Sequence, residues 1–200
     1  MSTRRFTSYL LIAGSAVLLF LGARDFLGSH LGQIKAERDF DAEVAPKTQP
    51  EAPPPTATAP EVLPPQPGET IAKLTIPRLA AEVYVVEGDG EDELRRGPGH
   101  LARSARPGAA GNCIIAGHRD THFRVLKDIR KGDDIVIETR NGQFLYRVKT
   151  TRIVSPDNTS ALLPTRNPRL NLITCFPFYY VGSAPKRFVV EAQLAASLGT

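Results

Sequence analysis

The chain has 200 residues, enough for one domain of ordinary size and additional segments. A hydrophobic content of 42% supports a packed core, and the formal net charge of +4 is small. The basic residues do not form the aromatic-interleaved stripe of a nucleic-acid-binding protein, so we expect no nucleic-acid partner. We interpret the basic excess first as a solvated surface and second as a mild preference for acidic surroundings.

An uncharged run of 18 residues, 6–23, lies between Arg4-Arg5 and Arg24-Asp25. Its length is close to the roughly 20 residues that span a bilayer, and the preceding basic residues favour an amino terminus on the inside. We therefore predict that residues 1–5 are cytoplasmic and that 6–23 form a retained signal anchor in the plasma membrane, with the following chain exported. A cleaved signal peptide and a buried core helix are the alternatives.

Residues 24–69 are predicted to form a juxtamembrane segment followed by a proline-rich linker. The charged stretch 24–43 could form a short helix, and nine of the chain's 17 prolines lie between Val44 and Glu69. Such a composition favours extended polyproline II at about 3.1 Å per residue rather than a packed core. The linker is therefore interpreted as a semi-rigid stalk that lifts a domain off the membrane.

From residue 70 to the end of the chain, short apolar or β-branched runs alternate with turn residues. The Asn141-Gly142 pair is a strong hairpin signal, and no strand–long helix–strand alternation is present. Residues 70–200 are thus predicted to be all-β, as a closed or nearly closed barrel of about eight strands. The predicted strands are Ile71–Ile76, Glu82–Glu87, Asn112–Ala116, Asp134–Thr139, Gln143–Val154, Leu170–Cys175 and Lys186–Leu194.

One or two short helices are predicted within this domain. Glu91–Arg96 is long enough for one helical turn before a Gly-Pro-Gly segment, where His100 is expected in a turn. Thr121–Ile129 has helical spacing, with its apolar residues on one side.

The strand Leu170–Cys175 ends at a thiol, and Pro177 two residues later prevents further ladder pairing. A nucleophilic thiol needs a base or a cation nearby, because its unperturbed pKa of about 8.5 leaves only a small fraction as thiolate at neutral pH. His118 ends another predicted strand, and Arg187 begins the last one, where a guanidinium can donate to an oxyanion. Each residue alone is ordinary, but together they favour a catalytic site.

The remaining candidates have simpler interpretations. Strand alternation places Cys113 on the face opposite His118, so we expect a small buried hydrophobe and no disulfide with Cys175. The acidic group at 89–93 is interpreted as a solvated turn, and Leu163–Arg166 as a loop. Neither a metal site at 118–122 nor any cofactor is predicted, because one further ligand is not identifiable and no CxxC or Cys/His cluster is present.

Three separated motifs resemble those of the sortases. They are Ala116–Asp120, Leu172–Cys175 followed by Pro177, and Arg187 some twelve residues later. The runs GHRDTHFR and YYVGSAPKRFVV are most similar to the class D group, although Leu172 stands where the family motif has threonine. The resemblance spans Ile71 to about Glu191 and implies an eight-stranded barrel.

The resemblance also implies a cysteine transpeptidase mechanism. Cys175 would attack the backbone carbonyl of a Leu-Pro-x-Thr-type signal, His118 would serve as general acid and then base, and Arg187 would stabilise the oxyanion. Thr174 and Gly117 are further candidates for substrate binding. The implied partners are a protein with a C-terminal sorting signal and an amine acceptor, either a cell-wall precursor or a protein lysine.

Two other functions stay open from sequence alone. One is a non-catalytic, stalked barrel that binds a peptide or a cell-wall component, and the other is a purely hydrolytic cysteine peptidase. In each case the loop at about Ser155–Arg169 is expected to set selectivity, because it precedes the strand that carries the candidate nucleophile.

Overall fold

The structure is a computed structural model, and it describes residues 12–13, 15–17, 31–42, 64–180 and 182–199. Eight strands of this part of the chain close into one barrel, in the order β1-β2-β3-β4-β7-β8-β6-β5. This confirms the predicted all-β barrel. The strands are β1 (Thr70–Ile76), β2 (Ala81–Glu87), β3 (Gly99–His100), β4 (Asn112–Gly117), β5 (Asp134–Thr139), β6 (Gly142–Val154), β7 (Arg169–Phe176) and β8 (Lys186–Ser197).

The barrel interior is filled by alternate residues of the strands, as expected when one face of each strand is buried. On β7, for example, Leu170 and Leu172 belong to the core cluster, and on β8 Val190 and Ala192 do. The β5–β6 hairpin turns at Asn141-Gly142, where Gly142 has a φ of 130°, as its sequence predicts. Most pairs are antiparallel, whereas β2–β3 and β4–β7 are parallel.

Two details differ from the sequence expectations. His100 lies in the two-residue strand β3 rather than in a turn, and it is fully buried, with its Nδ1 3.0 Å from Glu87 Oε2. The predicted helix at Thr121–Ile129 is a shorter 3-10 helix, Arg124–Asp128. The buried side chains of this helix and of the residues on either side of it recur every third residue, which is the period of a 3-10 helix. They are Phe123, Leu126 and Ile129.

Helix α1, residues 31–42, packs on the outside of the barrel. Gln33 Nε2 donates to the carbonyls of Tyr84 and Arg96, at 3.2 and 2.7 Å, and its Oε1 accepts from Tyr84 N–H. The ring of Phe40 lies 5.9 Å from that of Tyr84. Helix α2 (Glu91–Arg96) follows the prediction, and Arg95 pairs with two acidic residues of its first turn.

The predicted membrane segment falls mainly outside the described residues. Of 6–23, only 12–13 and 15–17 are described, and they are helical and exposed. Within the described residues, none of the helices has the length and apolar character that crossing a bilayer requires. The proline-rich linker lies outside the described residues up to position 63.

Candidate active site

The register of two parallel strands brings the predicted histidine and cysteine together. Gly117 of β4 pairs with Thr174 of β7, so His118 and Cys175 are each the next residue along neighbouring strands. Neighbouring strands lie about 4.8 Å apart. On the other side of β7, Cys175 pairs with Arg187 of β8. The three predicted catalytic residues therefore lie in one row across the rim of the barrel.

All three side chains leave the strands on the outer face. Leu172 and Val190 point into the core, so Cys175 and Arg187, at odd-numbered positions of β7 and β8, point outward. The same alternation on β4 turns His118 away from the interior. Each of the three residues is half-buried. The row is thus open to a substrate that approaches the outside of the barrel.

Thr174 and Gly117, predicted to bind substrate, are joined to each other. Thr174 is 2% exposed, and its Oγ1 donates to the carbonyl of Gly117 over 2.7 Å. The hydroxyl therefore links β4 to β7 one residue before His118 and Cys175. While this bond is made, the threonine hydroxyl is turned away from any substrate on the outer face.

Gly117 is required by close packing of the segment that follows His118. A Cβ at this position would lie 2.7 Å from a ring carbon of Phe123, which is 1% exposed. Phe123 N–H also donates to the carbonyl of His118 over 3.0 Å. The turn that begins at His118 is therefore closed by both a backbone hydrogen bond and a ring packed against the glycine.

Arg187 is held by the backbone of its own loop. Its Nη1 donates to the carbonyls of Ala184 and Lys186, at 3.3 and 3.1 Å. A guanidinium has five N–H donors in a planar fork, so these two bonds orient the group and leave further donors for a developing negative charge.

Arg119 ties the β7–β8 loop to the segment after His118, a role that no local sequence pattern indicates. Arg119 Nη2 donates to the carbonyls of Tyr180 and Gly182, at 2.8 and 3.0 Å, and its guanidinium lies 5.6 Å from the centroid of the Tyr180 ring. The loop that joins the cysteine strand to the arginine strand is therefore held from the histidine side of the site.

Tyr179 makes a second link between the same two segments. Its hydroxyl accepts a 2.9 Å hydrogen bond from Lys127 Nζ, and its ring faces the guanidinium of Arg124 at 5.3 Å. The hydrogen bond from Lys127 is the main cause that lowers the pKa of Tyr179. Because Tyr179 is 66% exposed, this link is near the surface and weaker than the contacts of a buried group.

Three phenylalanines pack around the end of β7. Phe178 lies edge-on to Phe176 and to Phe188, with centroid distances of 5.9 and 5.3 Å. Such aromatic pairs contribute about 0.5–1.5 kcal/mol beyond the area that they bury. They pack together the two residues that follow Cys175 closely in sequence, Phe176 and Phe178, and Phe188 of β8.

The second cysteine is not part of the site. Cys113 is 1% exposed and unpaired, and burial raises its pKa to about 12. This confirms its predicted role as a small buried hydrophobe. Burial also lowers the pKa of His122, four residues after His118. Among the described residues no group of three His, Cys, Asp or Glu side chains is placed to hold a metal ion.

Comparison with known proteins places this barrel in a family. The sortase domain matches residues 74–195, from β1 to β8. The chain belongs to the sortase family. Members of this family are cysteine transpeptidases, and the described barrel is the part of the chain that the family shares.

The similar proteins include members of the class D group. The chain is 40% identical over 130 residues to sortase D of Bacillus subtilis, covering 64% of this chain and 66% of that protein. It is 37% identical over 131 residues to sortase SrtE1 of Streptomyces coelicolor, covering 56% of this chain and 37% of the relative. The matched segment thus spans about two thirds or less of these curated relatives.

Solved structures give the same relationship. A sortase D5 transpeptidase of Clostridium perfringens superposes with a TM-score of 0.60 at 29% identity, covering 66% of this chain and 82% of that one. The catalytic domain of Bacillus anthracis SrtD also has a TM-score of 0.60 at 29% identity, covering 73% of this chain and all of that domain. The fold and the family are therefore shared with class D sortases.

Proposed function

We propose that this chain is a membrane-anchored sortase that cleaves a Leu-Pro-x-Thr-type sorting signal and transfers the acyl group to an amine. The observation that carries the proposal is the register of β4, β7 and β8, which aligns His118, Cys175 and Arg187 at one rim of the barrel. A base, a thiol and a fixed cation in adjacent positions are the groups that acyl transfer through a thioester requires.

In the first half-reaction, the Cys175 thiol gives its proton to His118 and Sγ attacks the carbonyl carbon of the signal's threonine. Arg187 donates to the oxyanion of the tetrahedral intermediate, and the C–N bond breaks as His118 gives a proton to the leaving amine. The products are a thioester on Cys175 and the released C-terminal fragment. In the second half-reaction the incoming amine loses a proton to His118 and attacks the thioester carbonyl. The C–S bond then breaks, and the sulfur takes the proton from His118, which regenerates the thiol.

The two rival functions differ in the fate of the bound peptide. A hydrolytic peptidase would form the same thioester but give it to water, and a non-catalytic barrel would form no thioester at all. Membership of a family of transpeptidases favours aminolysis over both alternatives. The proposed partners are therefore a protein with a C-terminal sorting signal, and a cell-wall precursor or protein lysine as the amine acceptor.

The cellular placement rests on the sequence. Residues 6–23 carry no charge and follow two arginines, which favours a signal anchor with its amino terminus inside and the barrel outside the plasma membrane. Because helix α1 packs on the barrel, residues 24–30 would be the segment that separates the barrel from the bilayer, and the predicted proline-rich linker would join α1 to β1. In this arrangement the substrate and the acceptor are both extracytoplasmic.

The test uses the full chain in a mild detergent, with a Leu-Pro-x-Thr-x peptide and a small primary amine. Mass spectrometry follows a thioester on Cys175 and an amide product, and Cys175→Ala is the negative control. Cys113→Ala is the matched control, because it removes the other thiol. A thioester with hydrolysis but no amide product would support the hydrolytic peptidase. Absence of both the thioester and the amide product would support the non-catalytic barrel.

A further inference from the structure

The loop between β6 and β7, residues 155–168, contains one residue that is buried against the barrel wall. A short 3-10 helix forms at Ser160–Leu162. Its central residue, Ala161, is 4% exposed, whereas Leu162 and Leu163 are 42% and 59% exposed. The loop therefore presents two apolar side chains outward while its backbone is fixed underneath.

Two buried asparagines lie below this helix. Asn112 is the first residue of β4 and Asn171 is in β7, and they are 5% and 0% exposed. By strand alternation they occupy the same outer face as His118 and Cys175. At about 3.3 Å per residue, they lie roughly 13–20 Å from the catalytic row along the same two strands. We name Asn112 and Asn171 the asparagine pair.

The asparagine pair donates to the loop backbone. Asn112 Nδ2 donates to the carbonyls of Ala161 and Leu163, at 2.8 and 2.9 Å. Asn171 Nδ2 donates to Asn112 Oδ1 at 2.7 Å and to the Ala161 carbonyl at 3.1 Å. Both amide nitrogens thus make two hydrogen bonds each, and three of the four bonds end on the loop.

Burying two side-chain amides lowers stability unless hydrogen bonds, here those to the loop, offset their desolvation. A buried amide without partners is destabilising by about 1–3 kcal/mol, and the Oδ1 of Asn171 finds no partner among the described residues. A pair of aliphatic residues would cover the outer face of β4 and β7 without that cost. What the amides add is directional contact with two carbonyls of one turn.

The turn itself has mostly local support. Leu162 N–H donates to the Thr159 carbonyl at 2.8 Å, and Ser160 N–H donates to the side chain of Asn158 at 3.0 Å. Both bonds stay within the loop, so they shape the turn without fixing it to the barrel. The hydrogen bonds of the asparagine pair fix the turn to the barrel.

We propose that Asn112 and Asn171 are positioning residues that fix the β6–β7 loop, and with it Leu162 and Leu163, for binding of the peptide substrate. The inference rests on the proposed function, since it assigns the loop to the sorting-signal side of the reaction. Loss of the asparagine pair should therefore raise the KM for the peptide. It should leave kcat unchanged, because the proposal assigns substrate contact to the loop and the catalytic row is built from other residues.

The first experiment does not depend on activity. Hydrogen–deuterium exchange of the full chain in detergent is compared between the natural sequence, Asn112→Asp and the matched control Asn167→Asp, an exposed asparagine of the same loop. Asn112→Asp replaces the Nδ2 group, which donates both bonds, with one oxygen that faces the two carbonyls. We expect amide exchange across 160–163 to rise about tenfold in Asn112→Asp and not in the control. Unchanged exchange in Asn112→Asp overturns the proposed fixation.

The second experiment measures transpeptidation with a Leu-Pro-x-Thr-x peptide. We expect the peptide KM of Asn112→Asp to rise about tenfold, with kcat and the rate of Cys175 alkylation by iodoacetamide within about twofold of the natural chain. If a buried carboxylate prevents folding, Asn112→Leu removes the same donors without a charge. Faster loop exchange with an unchanged KM overturns the substrate role. If the natural chain turns over no such peptide, the proposed function fails, and the exchange experiment still decides whether the pair fixes the loop.

Discussion

Replacing Gly117 with alanine tests how closely the turn after His118 is packed. The new Cβ would lie 2.7, 2.9 and 3.0 Å from three ring atoms of Phe123. Favourable carbon–carbon contacts are at about 3.5–4.0 Å, so the ring has to withdraw by roughly 1 Å. Phe123 is 1% exposed, and its N–H is bonded to the carbonyl of His118. The ring is therefore enclosed by its surroundings, and any shift of the Phe123 backbone is passed on to His118.

The size of the effect depends on that displacement. Overpacking a core site costs about 1–3 kcal/mol, which for a domain of this size lowers the melting temperature by about 4 °C per kcal/mol. A misplacement of about 1 Å in a catalytic group costs about 10²-fold in rate. We expect Gly117→Ala to lower the melting temperature by several degrees and kcat by about 10²-fold.

Calorimetry and a peptide-cleavage assay measure the two effects, and a second substitution tests their cause. Phe123→Leu removes the ring that the alanine would strike. In the double variant, the loss should therefore be smaller than the sum of the two single losses. A Gly117→Ala chain with native stability and kcat, or strictly additive losses in the double variant, would refute the packing argument.

Three further predictions concern other contacts. Arg119→Ala should lower kcat/KM about tenfold by releasing the β7–β8 loop. An unchanged kcat/KM would exclude a catalytic role for the contacts between Arg119 and this loop. Iodoacetamide at pH 8 should label Cys175 alone in the native chain, because burial raises the pKa of Cys113 to about 12; a doubly labelled native mass would contradict this. Asp133→Asn should lower the melting temperature at pH 7, and the difference in melting temperature between the variant and the natural chain should shrink at acid pH. The hydrogen bond from Arg78 lowers the pKa of Asp133, so its stabilisation is full above the ordinary pKa of about 3.9 and is lost as pH falls through the depressed value. A difference independent of pH would contradict the pairing.

Features with a local signal could be predicted from the sequence. The seven predicted strands match observed strands to within a few residues, since alternation and flanking turn residues are read over a short window. Strand β3 has no such signal, because two residues are too few to show an alternating pattern. The burial of His100 could not be predicted for the same reason. The spacing of Phe123, Leu126 and Ile129 predicts burial correctly, but every-third spacing also fits the 3-10 helix that forms.

The sequence names His118, Cys175 and Arg187 as candidates, but their arrangement could not be predicted from it. Cys175 and His118 are 57 positions apart, and only the parallel β4–β7 register makes them neighbours. The contacts of Arg119 with the β7–β8 loop join segments about 60 positions apart. The same holds for the asparagine pair, whose members lie on different strands. Single-sequence patterns carry no information about such long-range pairings.

The strand order has a consequence for the order in which the barrel becomes complete. Strand β7 is bordered by β4 and β8, and β8 also pairs with β6. Synthesis from the amino terminus delivers β8 after every other strand. Until β8 docks, Cys175 has no Arg187 beside it, and the barrel has an open edge between β6 and β7. Under the proposed mechanism, a chain in which β8 has not docked therefore carries a thiol without its oxyanion donor.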